Sequence, residues 1–537
     1  MISTRSLRVR RCASVLGLGL VLVGGLCGTT ACSDDASLEA TSDEDLTSIT
    51  ARSRTLEFMG AVYVDASSSD DAIRSAVRSQ AQSAFGPLRT TNIAVNTREL
   101  NQVDTSTFVK RTVKVIDTSV AGDAGKDMIE VRYKYKDNAV VDAKYAKRTA
   151  VPLALLNPNY RSQNDRVLRE CTRNDSEARD FASSIWYVFE PTVASCQQVM
   201  RQEQQTIDAD RVKLTDATKQ VTKSEVDRLY LPIQVKLGAD KTNKGTSYPD
   251  YQRLYRGGVD PNKLVISLVY GLIDHDHSAG VARDFNFGEL MTNLDEVISA
   301  QDGFEIVPGP NDANLAHFTL ASGKSLDNPS IKDLVGLHRR TDSLNLSEPD
   351  TADLEKQFAE RIYGKWFSIE RNVKVAVGSE TPRDFAVKLI VFFGADQDST
   401  PHKYATKNSD VFLYNGHSYI GFGPLDPRNF RSTDFTKGYQ LFWIDGCVSY
   451  NYYEKDYIPL KEGGTKNLDL VTNGIEAPSW QSGHAMGQFL VTLLNGANAS
   501  YRDLLEAAEA TDPLRVVDGE LDNEFTPQRF PITIIGR

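Results

Sequence analysis

The stretch LFWIDGCVSY, Leu441 to Tyr450, decides how this chain is read. Four large apolar residues run into Asp445 and Gly446, and a cysteine, Cys447, follows directly. About thirty residues earlier, VFLYNGHSYIG, Val411 to Gly421, repeats the layout with Gly416 and His417. Apolar runs with so little polar alternation fit strands buried on both faces, as in a parallel sheet covered by helices. FAVKLIVFF (385–393) and LDLVTNG (468–474) have the same character. Upstream, KLVISLVYGL (263–272) precedes an amphipathic segment that puts Phe287, Leu290, Leu294, Val297 and Ile298 on one helical face, and the short FEIV (304–307) follows. Strand, helix, strand predicts parallel pairing. The C-terminal region reads as helical: SGHAMGQFLVTLLNG stops at Gly496, and Ser500 and Asp503 stand at capping-box spacing.

In an open parallel sheet the carboxyl ends of the strands form one rim, and ligands bind in the crevice outside it. Two consecutive strands that each end in glycine plus a reactive residue therefore deliver His417 and Cys447 to the same rim. Gly416 and Gly446 allow tight turns and close approach of a substrate backbone. Backbone N–H groups at these turns, that of Cys447 included, are suited to bind an oxyanion. Asp445, two residues before Cys447, is expected on the same face of a continuing strand, and it reads as a turn cap.

At 537 residues the chain exceeds one hydrophobic core, so several domains are expected. Arg5, Arg8, Arg10 and Arg11 precede an uncharged stretch from Ala13 to Gly25, the layout of an export signal, too short for a membrane span. GTTACSDD then resembles the lipobox of bacterial lipoproteins, with Thr29 where leucine is typical. That resemblance implies a leader over residues 1–31 and a lipid on Cys32 that anchors the chain to a membrane. Loss of four arginines and no acid moves the formal charge from -11 to about -15. So acidic a protein is no nucleic-acid binder. Residues 32–54, rich in Ser, Thr, Asp and Glu, read as a flexible acidic tether. Residues 55–157 mix strand and helix patterns in a smaller α+β domain, 158–225 form a helical connection, and 226–537 form the α/β domain. Of the six cysteines, Cys12 and Cys27 leave with the leader. Cys171 and Cys196 flank an aromatic segment and are read as a disulfide, which leaves Cys447 without a partner.

A hydrophobic block followed by histidine, VFLYNGHS, and a second followed by cysteine, LFWIDGC, resemble the caspase-like cysteine peptidases, which include gingipains and legumains. The resemblance covers roughly the C-terminal three-fifths of the chain. Ser418 stands where the family usually has glycine after the histidine, and Gly446 where alanine usually precedes the cysteine. The resemblance implies a caspase-like mostly parallel sheet flanked by helices, Cys447 as nucleophile and His417 as its partner, acting on a peptide or protein substrate with no cofactor. It also implies that the end of the first strand, DHDH (274–277), contributes to the specificity pocket, so Asp274 or Asp276 would favour a basic side chain. Trp480 is read as a pocket wall.

Rival readings stand beside this one. A free cysteine is ordinarily a buried inert thiol, in which case the chain is a catalytically inactive caspase-like surface lipoprotein with a binding role. In DHDH alternate residues of an extended chain share a face, and Asp and His are acceptable ligands, which suggests a metal-dependent hydrolase; but no third ligand is evident from spacing, and no metal is expected. Serine hydrolase chemistry lacks a G-x-S-x-G elbow, and nucleotide chemistry lacks a P-loop.

Overall fold

The computed structural model describes residues 46–274, 280–309, 312–394, 397–508 and 513–536. Its first sheet contains β1 (Ala51–Asp65), β2 (Ile93–Val95), β3 (Val109–Ile116), β4 (Lys126–Asp142), β5 (Ala150–Leu156), β6 (Gln220–Thr222) and β7 (Tyr230–Leu237). The order is β5-β7-β1-β4-β3-β6, with β2 on β4. β1 and β4 pair antiparallel along their length, from Ala51↔Asp142 to Asp65↔Met128. The helix Asp70–Gln82 begins where Ser69 Oγ accepts the Ala72 N–H at 3.2 Å, an N-cap, and it buries Ile73, Val77 and Ala81.

Two boundaries differ from the sequence division. β7 lies beyond residue 226 yet pairs with β1 and β5, because its alternating pattern suits a half-exposed antiparallel strand. Regular pairing also starts inside the stretch read as a tether: Leu46 is buried, Thr47 bridges to Val517, and β1 begins at Ala51.

The second sheet contains β8 (Lys263–Gly271), β9 (Glu305–Val307), and, after a separate hairpin of β10 (His317–Thr319) and β11 (Ser325–Asp327), β12 (Lys365–Val377), β13 (Arg383–Gly394), β14 (Val411–Asn415), β15 (Gln440–Asp445), β16 (Leu468–Asn473), β17 (Arg515–Asp518) and β18 (Ile532–Ile535). The order is β17-β16-β15-β14-β8-β13-β12-β18, with β9 on β12. β13, β8, β14, β15 and β16 run parallel, and the strands outside them are antiparallel. FEIV is therefore not the parallel neighbour of β8: three largely exposed residues of β9 pair antiparallel at the far edge, and the longer apolar β13 takes the place beside β8.

β14, β15 and β16 are buried at every position, as their unbroken apolar runs require. On one face Leu268, Leu413 and Trp443 pack on the helices Phe285–Ala300 and Ser482–Leu494. On the other, Phe412, Tyr414, Phe442 and Ile444 share a core with Phe58, Phe85 and Tyr135 of the N-terminal part. Each such side chain contributes about 1.5–3 kcal/mol by leaving water. The two sheets are thus parts of one compact unit, Ser42–Arg537, rather than separate bodies. The C-terminal end follows its punctuation: Gly496 has φ +97° after the helix Ser482–Leu494, and Ser500 and Asp503 form the capping box of Tyr501–Ala507.

Cys171 and Cys196 form a disulfide with a Cα–Cα distance of 4.7 Å, which ties the end of the helix Asn164–Glu170 to the start of Ala194–Arg211. The bond is compatible with an exported protein. Among the described residues no helix is long and apolar enough to cross a membrane. Residues 1–31 and Cys32 lie outside the described residues.

Candidate active site

β14 and β15 are adjacent and parallel, in register from Val411↔Leu441 to Asn415↔Asp445. Gly416 and Gly446, then His417 and Cys447, therefore leave neighbouring strand ends at matching positions. The two turns touch. A Cβ built on Gly446 would lie 3.4 Å from Ser418 Cβ and 3.6 Å from the Gly416 carbonyl oxygen, ordinary contact distances, so alanine fits there. Gly416 is tighter: a Cβ would run into the ring and hydroxyl of Tyr414, whose hydroxyl donates to the His417 carbonyl at 2.9 Å.

His417 is half-buried, with Nε2 3.1 Å from the carbonyl oxygen of Ile273, just after β8. A carbonyl oxygen only accepts, so Nε2 donates its proton in this contact. The Ile273 turn is fixed in its own right, since Asp284 accepts the N–H groups of Ile273 at 3.1 Å and Asp274 at 2.8 Å. After His417, Tyr419 and Ile420 hold φ +50° and +53°; after Cys447, Val448 holds φ +54°. Left-handed backbone at bulky or β-branched residues is costly and collects at functional sites. The Val448 N–H is bound by the Ile475 carbonyl at 3.1 Å.

Cys447 is a free, half-buried thiol. Burial pushes it up to about 12, with Glu476 and Asp445 adding to the rise while the Ala477 backbone N–H and Arg89 oppose it. The sulfur is therefore a neutral thiol at pH 7 in this conformation. The expected common face of Asp445 and Cys447 is not kept. Leu441 and Trp443 face one core and Phe442 and Ile444 the other, yet Cys447 packs with the second set, because the strand ends at Asp445 and the chain turns at Gly446.

The N-terminal part grips both turns. Arg98 Nη1 reaches Asp426 Oδ1 at 3.3 Å, and Nη2 of the same side chain donates to the Gly421 carbonyl beyond His417. Arg89 pairs with Glu476, its guanidinium lies 4.5 Å from the centre of the Tyr187 ring, and the Tyr187 hydroxyl is 3.3 Å from Glu476 Oε1. Sequence reasoning missed Arg89, Tyr187 and Glu476. Nothing local marks two residues more than 250 positions upstream as neighbours of Cys447.

Of the residues read as a substrate pocket, Asp274 is exposed next to Ile273, and Trp480 is 64% exposed at the start of the helix Ser482–Leu494. Asp276 lies outside the described residues, as do His275 and His277. Among the described residues no group of three or more His, Cys, Asp or Glu could hold a metal ion. His402 is buried and pushed down to about 4 by burial, a core residue bound to the Asp398 carbonyl. Comparison with family models, with curated proteins and with solved structures finds no match to this chain.

Proposed function

We propose that this chain is an exported, membrane-tethered cysteine endopeptidase with a caspase-like C-terminal α/β part, lipid-anchored through Cys32 and acting on peptide or protein substrates. The observation that carries the reading is the register of β14 and β15, which end in Gly416-His417 and Gly446-Cys447. In the reaction, the His417 imidazole takes the Cys447 proton as sulfur bonds to the scissile carbonyl carbon. The N–H of Cys447, and the turns that Gly416 and Gly446 permit, stabilise the oxyanion. The C–N bond then breaks, the imidazolium returns its proton to the leaving amine, and water hydrolyses the thioester. Asp274 or Asp276 selects a basic side chain before the cleaved bond, and Trp480 serves as a pocket wall.

The second reading, an inactive caspase-like surface lipoprotein that binds a partner, is favoured by one observation: burial and Glu476 hold the Cys447 thiol up to about 12. A panel of fluorogenic peptides separates the two. Turnover by the purified chain that vanishes in Cys447→Ala and falls at least a hundredfold in His417→Ala supports the peptidase. No turnover over the whole panel, with a folded protein, selects the scaffold.

A further inference from the structure

Across the carboxyl ends of the parallel strands, one step below His417 and Cys447, runs a buried row of polar side chains that the proposed chemistry does not use. Tyr270, Asn415 and Asp445 are partners in register on β8, β14 and β15, and Asn473 on β16 is opposite Arg515 on β17. Asn473 Nδ2 joins the two groups by donating to Asp445 Oδ1 at 2.7 Å. Asp445 has no exposed side-chain surface, and among the described residues its Oδ2 has no hydrogen-bond partner. Arg515, 3% exposed, is the cation of this row: Nη2 lies 3.8 Å from Asp445 Oδ1, Nη1 donates to the Ala508 carbonyl at 2.9 Å, and the guanidinium sits 5.0 Å from the centre of the Trp443 ring.

The row is wired into the Cys447 turn on both sides. Asn473 Nδ2 also approaches the Gly446 carbonyl at 3.4 Å, and the Asn473 N–H donates to Ser449 Oγ at 2.8 Å. Ser449 in turn donates to the Ile444 carbonyl at 2.8 Å. Gly446 to Ser449, including the left-handed Val448, is thus held by groups that lead back to the Asp445–Arg515 pair. At 3.8 Å the pair acts through charge rather than a direct hydrogen bond. The other groups that face the thiol are Glu476, Arg89 and Tyr187, with His417 on the neighbouring turn.

We infer that Arg515 is a positioning residue for Cys447: the buried counter-ion that neutralises Asp445, keeps the Gly446–Ser449 turn in place and lowers the negative field at the thiol. This role rests on the peptidase reading for its purpose but not for its test, which reads the sulfur alone. Cys447 alkylation by iodoacetamide is followed by mass spectrometry of its peptide, between pH 7 and 10, in the full chain and in Arg515→Met, Asp445→Asn, the double variant and Arg515→Lys. Arg515→Met leaves Asp445 uncompensated, so the pH profile shifts upward by about one unit and alkylation at pH 8 slows about tenfold. Asp445→Asn shifts the profile down and speeds alkylation severalfold. The double variant returns to within about threefold of wild type, and Arg515→Lys lies nearer wild type than Arg515→Met. A wild-type profile for Asp445→Asn, or a double variant no closer to wild type than Arg515→Met, overturns the inference. If Arg515→Met does not fold, Asp445→Asn and the double variant decide alone. Failure of the peptidase reading shows instead as alkylation that follows this pattern without any peptide turnover.

Discussion

The His417 turn and the Cys447 turn begin from nearly the same sequence, an apolar strand, a glycine and a reactive residue, and end in different surroundings. The histidine is held at the Ile273 carbonyl, and its loop is tied down by Arg98 through a backbone oxygen and Asp426. The half-buried cysteine sits among charges: Glu476 and Asp445 work against its thiolate, while Arg89 works for it. A strand-end pattern sets where a reactive group sits. What that group does is set by partners that the pattern does not contain.

The largest expected effect tests whether the turns work as a pair. Cys447→Ala should abolish peptide turnover, and His417→Ala should reduce it by about 10²–10⁴; an unchanged rate in His417→Ala would separate the two turns chemically. Next is the pH dependence of the sulfur. Because burial disfavours the thiolate, Cys447 alkylation in the folded chain should climb about tenfold per pH unit from 7 to 10 without a plateau, whereas the denatured chain should level off near an ordinary thiol pKa, about 8.5. A folded-state plateau below pH 9 would contradict the charge asymmetry between the turns. Glu476→Gln removes the larger of the two negative contributions, so alkylation at pH 8 should speed up by about tenfold. The glycines give the smallest effect. Gly416→Ala meets the Tyr414 ring and should cost about 1–3 kcal/mol in urea unfolding, while Gly446→Ala, with 3.4 Å to Ser418, should cost less than about 1 kcal/mol. Equal costs would mean the two turns are equally open.

Much of this architecture was legible in the sequence because the signals were local. β14, β15 and β16 announced themselves by apolar runs, and the disulfide by two nearby cysteines in a chain with an export-signal layout. What escaped was long-range. β7 reads like any amphipathic strand, and only its pairing with β1 and β5 returns it to the first sheet. β9 is too short for periodicity to say which neighbour it takes. Arg515 sits in an ordinary strand, RVVD, and becomes notable only once β17 lies against β16 opposite Asn473. Asp445 was misread for a related reason: strand alternation stops at the last paired residue, and the turn at Gly446 sends Cys447 to the other face. The candidate site was therefore half visible: His417 and Cys447 could be named, but the charged groups around Cys447 could not.

The decisive measurement is covalent capture of the sulfur by a peptidyl acyloxymethyl ketone, read by mass spectrometry on the full chain and on His417→Ala. A single adduct on Cys447 is expected to form in the wild type and to be lost when the imidazole is removed. An adduct that forms equally well without His417, or a wild-type Cys447 that iodoacetamide reaches and the ketone never does, would contradict a working pair at these strand ends.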